Sequence, residues 1–146
     1  MARLQRVAAT LITTCLVSFL SSLTQAASAD QVIFSCKTAS GKTVQFLNAG
    51  KVIHYRYGKS VAAPDLAFSV PRSASSIDDG SENLGSGSWW MTQQIILKFN
   101  GNTYTGWWSY HRASGEEEAG IRVSRGDQVL AETPCVGQAN INLTAY

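Results

Sequence analysis

The sequence predicts an all-β domain, an antiparallel meander of about eight short strands closing into a small barrel, with a two-sheet sandwich as the alternative. Apolar and polar residues alternate over short runs, as in strands with one buried face, and no run after residue 29 keeps a helical period. One pair of runs meets at Asn100-Gly101, the dipeptide best suited to a two-residue hairpin turn, because both central residues need positive φ. Cys36 stands near the start of the domain and Cys135 near its end. A bridge between them would bring the first and last strands together, as barrel closure requires.

The first strand is Gln31 to Lys37, where Val32, Phe34 and Cys36 alternate with Ser35 and Lys37. Ala39-Ser40-Gly41-Lys42 supplies turn chemistry, and Thr43 to Leu47 follows with Val44 and Phe46 on one side. Asn48-Ala49-Gly50 turns again into Lys51 to Tyr57. Pro64 precedes a short strand, Leu66 to Val70, which Pro71 closes. Residues 72–88 are rich in Ser, Gly and acid, with only Ile77 and Leu84 to bury, and read as a long loop.

The stretch Trp89 to Arg112 holds all four tryptophans. With Asn100-Gly101 as the loop, Phe99 pairs with Asn102, Leu97 with Tyr104, Ile95 with Gly106, Gln93 with Trp108 and Met91 with Tyr110. That face is nearly all apolar and is assigned to the core, with Trp89 also at the mouth of the long loop. The other face pairs Ile96 with Thr105, Gln94 with Trp107 and Trp90 with His111. Shifting the register by one residue would mix the two faces, so the two-residue loop is preferred. Ala113 to Ala119 is an acidic connection, and Gly120 to Ser124 and Gln128 to Glu132 form a second hairpin. The tail, residues 136–146, either adds an edge strand or frays.

Residues 1–29 read as a signal peptide: Arg3 and Arg6, an uncharged apolar stretch from Val7 to Leu23, then Ala27-Ser28-Ala29 for cleavage. The domain is then 30–146, and its location periplasmic or secreted. The apolar stretch is short and interrupted by Ser and Thr, and Cys15 lacks lipoprotein context, so no stable membrane anchor is expected. The chain has 12 basic and 10 acidic residues, but Arg3 and Arg6 leave with the leader, and nucleic acid loses its support as a partner. The remaining charge is polarised, basic before residue 77 and acidic after it. Two cysteines in an exported chain make one disulfide, Cys36–Cys135, worth about 4–5 kcal/mol by loop entropy.

Catalysis finds little to use. The serines lie in low-complexity sequence without a G-x-S-x-G elbow, and only His54 and His111 could act as a base. Asp78, Asp79 and Glu82, like Glu116 to Glu118, sit in polar surroundings that would not raise a carboxyl pKa for acid catalysis. Asp78 to Asn83 lacks EF-hand spacing, and two histidines are too few for zinc. No enzyme activity, metal or cofactor is expected. Arg125-Gly126-Asp127 suits a turn as well as an adhesion tripeptide. The aromatic hairpin remains, with Trp90, Trp107 and His111 on the face left outside the core, a candidate surface for another protein.

Gly85, Ser86, Gly87, Ser88 and Trp89 form a Ser/Gly run followed by an aromatic residue. With the leader, the length and the paired cysteines, this resembles the periplasmic inhibitor family of C-type lysozyme, and periplasmic immunity proteins against cell-wall toxins look similar. The resemblance implies an eight-stranded barrel, a disulfide near the chain ends and a Ser/Gly loop that enters the enzyme cleft. The expected function is therefore a non-catalytic, exported protein-binding domain that inhibits or neutralises a cell-wall hydrolase or toxin. Its contact residues would be Ser86, Gly87, Ser88, Trp89, Trp90, Trp107 and His111. A carbohydrate- or peptidoglycan-binding module is the alternative, and a small exported enzyme the second alternative.

Overall fold

The computed structural model describes residues 30–85 and 88–146. The signal-peptide reading and two proposed contact residues, Ser86 and Gly87, lie outside the described residues. Strands β1 (Gln31–Lys37), β2 (Thr43–Asn48), β3 (Val52–Gly58) and β4 (Leu66–Pro71) follow one another through connections of five, three and seven residues. A single 3-10 turn, Arg72–Ala74, then leads into β5 (Ser75–Gly85), β6 (Ser88–Phe99), β7 (Asn102–His111), β8 (Glu116–Arg125) and β9 (Gln128–Pro134). β10 (Asn140–Ile141) and a closing 3-10 turn, Leu143–Ala145, end the chain. The strands make two antiparallel sheets of five, ordered β10-β1-β2-β3-β4 and β5-β6-β7-β8-β9.

This is a sandwich rather than the expected closed barrel. The chain passes from one sheet to the other at Arg72–Ala74, where the hydrogen-bond ladder stops. Near the far end the sheets meet at one isolated bridge, Thr38 with Cys135, beside the Cys36–Cys135 disulfide. A disulfide and a bridge hold two sheet edges together without a continuous ladder between them.

The core explains how the layers cross. Phe34, Phe46, Tyr55 and Phe68 are direct cross-strand neighbours, so they form a row running across the first sheet. That row lies along the strands of the second sheet. Phe68 stacks on Phe99 with centroids 4.2 Å apart, Tyr55 meets Tyr104 at 5.3 Å, and Phe34 and Phe46 press on Gly106. Strands of one layer therefore cross those of the other steeply, as in orthogonal packing. Ile33, Val44, Ile53, Ile95 and Leu97 join Phe34 and Phe46 in the fully buried set.

Within the expected loop at 72–88, residues 72–85 are ordered otherwise. After the 3-10 turn, β5 pairs with β6 from Ser75 opposite Leu97 to Gly85 opposite Ser88. Its Asp, Gly and Ser content hides the strand, because as an edge it needs only backbone bonding on one side and little burial. The acidic connection also contracts, since β8 begins at Glu116. The tail supplies an edge strand: β10 pairs with β1, and Ala145 is buried.

Candidate functional site

The hairpin register is the one the Asn-Gly turn dictates. Phe99 pairs with Asn102, Gln93 with Trp108, Met91 with Tyr110 and Trp90 with His111. Asn100 and Gly101 both take positive φ, at 49° and 74°, as a type I′ turn requires.

The size of the covering layer departs from expectation. β1 to β4 are six or seven residues long, whereas β5 to β8 are ten to twelve. At about 3.3 Å per residue, β6 spans roughly 40 Å against roughly 23 Å for β1. The first sheet covers β6 and β7 from the turn to about Gly106, and the same face continues uncovered beyond it. Trp89 and Met91, assigned to the core by alternation, are 36% and 44% exposed. Trp108 and Tyr110, also assigned there, are half-buried, with parallel rings 6.2 Å apart at an interplanar angle of 6°. Asp79 and Ser81 of β5, Trp89, Met91 and Gln93 of β6, and Arg112 outline an open groove of about 470 Å³ on this end. Alternation assigned Trp89, Met91, Trp108 and Tyr110 to a face, but it carries no signal for where the opposing sheet stops.

On the reverse face, the tryptophans singled out by sequence are half-buried. Trp90 stacks on His111 with centroids 4.8 Å apart. Trp107 lies over Gly120, where an added Cβ would fall 2.7 Å from its Cζ2 atom. Its Nε1 is buried with no hydrogen-bond partner among the described residues. The structure thus brings Ser88, Trp89, Trp90 and His111 to one end of the sheet, while Trp107 sits four residues from His111 along β7.

His111 is a hub that the sequence did not reveal. Ser88 Oγ lies 2.6 Å from Nε2 and Ser114 Oγ 2.7 Å from Nδ1, while the Ser114 hydroxyl donates to Glu116 Oε2 at 3.0 Å. Because that hydroxyl proton is directed to Glu116, Ser114 Oγ accepts from Nδ1–H, and Nε2 shares its hydrogen bond with the Ser88 hydroxyl. Ser–His contact alone does not mark a nucleophile here, since His54 and Ser69 form the same 2.6 Å pair on the outer face of the first sheet. What the chain of bonds does is fix the ring that supports Trp90 and tie the start of β6 to the loop before β8.

No group of three or more His, Cys, Asp or Glu side chains among the described residues is placed to hold a metal ion. No helix among them is long and apolar enough to cross a membrane. The disulfide is compatible with an exported location. Comparison with protein families, curated proteins and solved structures finds no match to this chain.

Proposed function

We propose that the chain is an exported, non-catalytic domain that binds another exported protein through the uncovered end of its second sheet, and that this partner is a cell-wall-active enzyme or toxin. The carrying observation is the exposure of Trp89 and Met91 on a strand paired on both sides, beside the Trp108–Tyr110 pair. A backbone already paired into a strand adds no ordering cost on docking, and Trp is among the residues that dominate interface energies. The Ser/Gly run of the lysozyme-inhibitor resemblance leads directly into this patch at Ser88 and Trp89, which supports an enzyme as the partner. Glycosidase clefts use paired carboxylates, and β5 carries Asp78, Asp79 and Glu82, so the patch beside the cleft is the better contact than insertion of the acidic strand.

The test is inhibition of cell-wall lysis by C-type lysozyme and by bacterial wall hydrolases, titrated with the purified protein. Inhibition should weaken at least about tenfold in Trp89→Ala/Met91→Ala, the effect of losing two interface anchors. Absence of inhibition across the set, or equal inhibition by the double variant, would refute the reading. A sugar-binding module is favoured by one observation, the parallel Trp108 and Tyr110 rings with Gln93 opposite Trp108. Saturable quenching of tryptophan fluorescence by cell-wall fragments, lost in Trp108→Ala, would select that reading instead.

A further inference from the structure

Resting on the assignment of the uncovered sheet end as the binding surface, we infer that its occupant is a basic protein, one that surrounds an apolar projection with cationic side chains. The apolar centre is the exposed Trp89 and Met91 with Trp108 and Tyr110. Its flanks are acidic on both sides. Asp79 of β5 lies opposite Gln93, and Glu117 of β8 opposite Tyr110, so the two bracket the patch on its own face. Asp78, Glu82, Glu116 and Glu118 occupy the reverse face of the same strand segments. All six are exposed, and none joins an ion pair among the described residues.

Against these six stands Arg112. The second sheet's other cations are elsewhere or engaged: Lys98 and Arg125 lie towards the opposite end, Arg125 donating to Asn102, and Arg122 pairs with Glu132 at 2.8 Å. Like charges gathered on one sheet end repel each other, and an approaching surface of opposite sign relieves that repulsion while steering association. The apolar face fixes where the partner docks, and the carboxylates fix its charge. A second copy of this chain is a poor candidate. In its basic first sheet, Lys42 and Arg56 already pair with Asp65 and Asp30, and the exposed lysines do not gather at one place, Lys37 and Lys59 standing at one end and Lys51 at the other. Arg72, just beyond that sheet, lies over the Tyr146 ring.

The test uses the immobilised protein with three soluble probes: C-type lysozyme, cytochrome c as a basic protein without wall activity, and ovalbumin as an acidic control. We expect saturable binding of the basic probes only, with association slowing at least about tenfold between low and high salt. Asp78→Asn/Asp79→Asn/Glu117→Gln/Glu118→Gln should weaken it at least about tenfold, the size expected for loss of charge steering. Circular dichroism confirms the fold of that variant. Glu117→Gln/Glu118→Gln alone, a milder change, should fall between it and wild type. Binding of cytochrome c with this dependence but no binding or inhibition of lysozyme would uphold the basic partner and remove support for the wall enzyme. Failure of both basic proteins to bind at low salt, or equal binding by the charge-depleted variant, would overturn the inference. So would equal binding of ovalbumin, or sedimentation showing a salt-sensitive dimer of the chain itself.

Discussion

At Gly106 the two layers are in close contact. An added Cβ there would sit 2.9 Å from Phe34 Cδ1 and 3.0 Å from Phe46 Cε2. Both rings are fully buried, so neither can swing away freely. Gly106→Ala should cost about 1–3 kcal/mol by overpacking, read as a lower urea midpoint with an unchanged slope. Tyr55 carries a pH signature. Burial, reinforced by Tyr104 and Tyr57, pushes its phenol well above the ordinary value of 10.0. With the folded pKa raised, stability is fully present below about pH 10 and falls as pH rises towards the folded value, because the unfolded chain ionises first. Tyr55→Phe should flatten that alkaline decline in thermal melts between neutral pH and pH ~11. Trp89 shows the limit of reading single residues. Its face was legible from alternation, whereas its exposure depends on a first sheet that ends elsewhere in the chain.

Among the elements, the β6–β7 hairpin was the most legible and β5 the least. Asn100-Gly101 fixes the hairpin because the turn is local, and register then propagates through every pair to Trp90 and His111. Gly101→Ala keeps open space around its new methyl but retains φ of 74°, so the penalty is backbone strain of about 1 kcal/mol. Denaturant titration should show this loss without a change in the aromatic near-UV spectrum. β5 was hidden because its partner supplies most of its stability. Its carboxylates keep an exposed edge from pairing with another molecule. Asp78→Val/Asp79→Val should therefore leave the melting temperature little changed while producing concentration-dependent light scattering.

At the scale of the molecule, the all-β class and the Cys36–Cys135 pairing were legible, and the absence of barrel closure was not. Alternation and turns specify strands, but whether a meander closes depends on ladder continuity at Arg72–Ala74 and at the Thr38–Cys135 bridge. The disulfide spans 99 residues and ties β1 of one layer to the segment just after β9 of the other. Reduction should lower stability by about 2–5 kcal/mol, seen as a shifted urea midpoint. The β1–β10 pairing has a further consequence, in the order of events during folding. β1 needs β10 as its outer neighbour, Asn48 donates to the Ala145 carbonyl, and the Tyr146 hydroxyl donates to the Ser75 carbonyl. A strand from the start of the domain is thus completed by residues more than 100 positions later. The first sheet keeps one edge open until residues 140–146 have docked, and a chain cut after β9 would lack its outer strand however long it was given to fold.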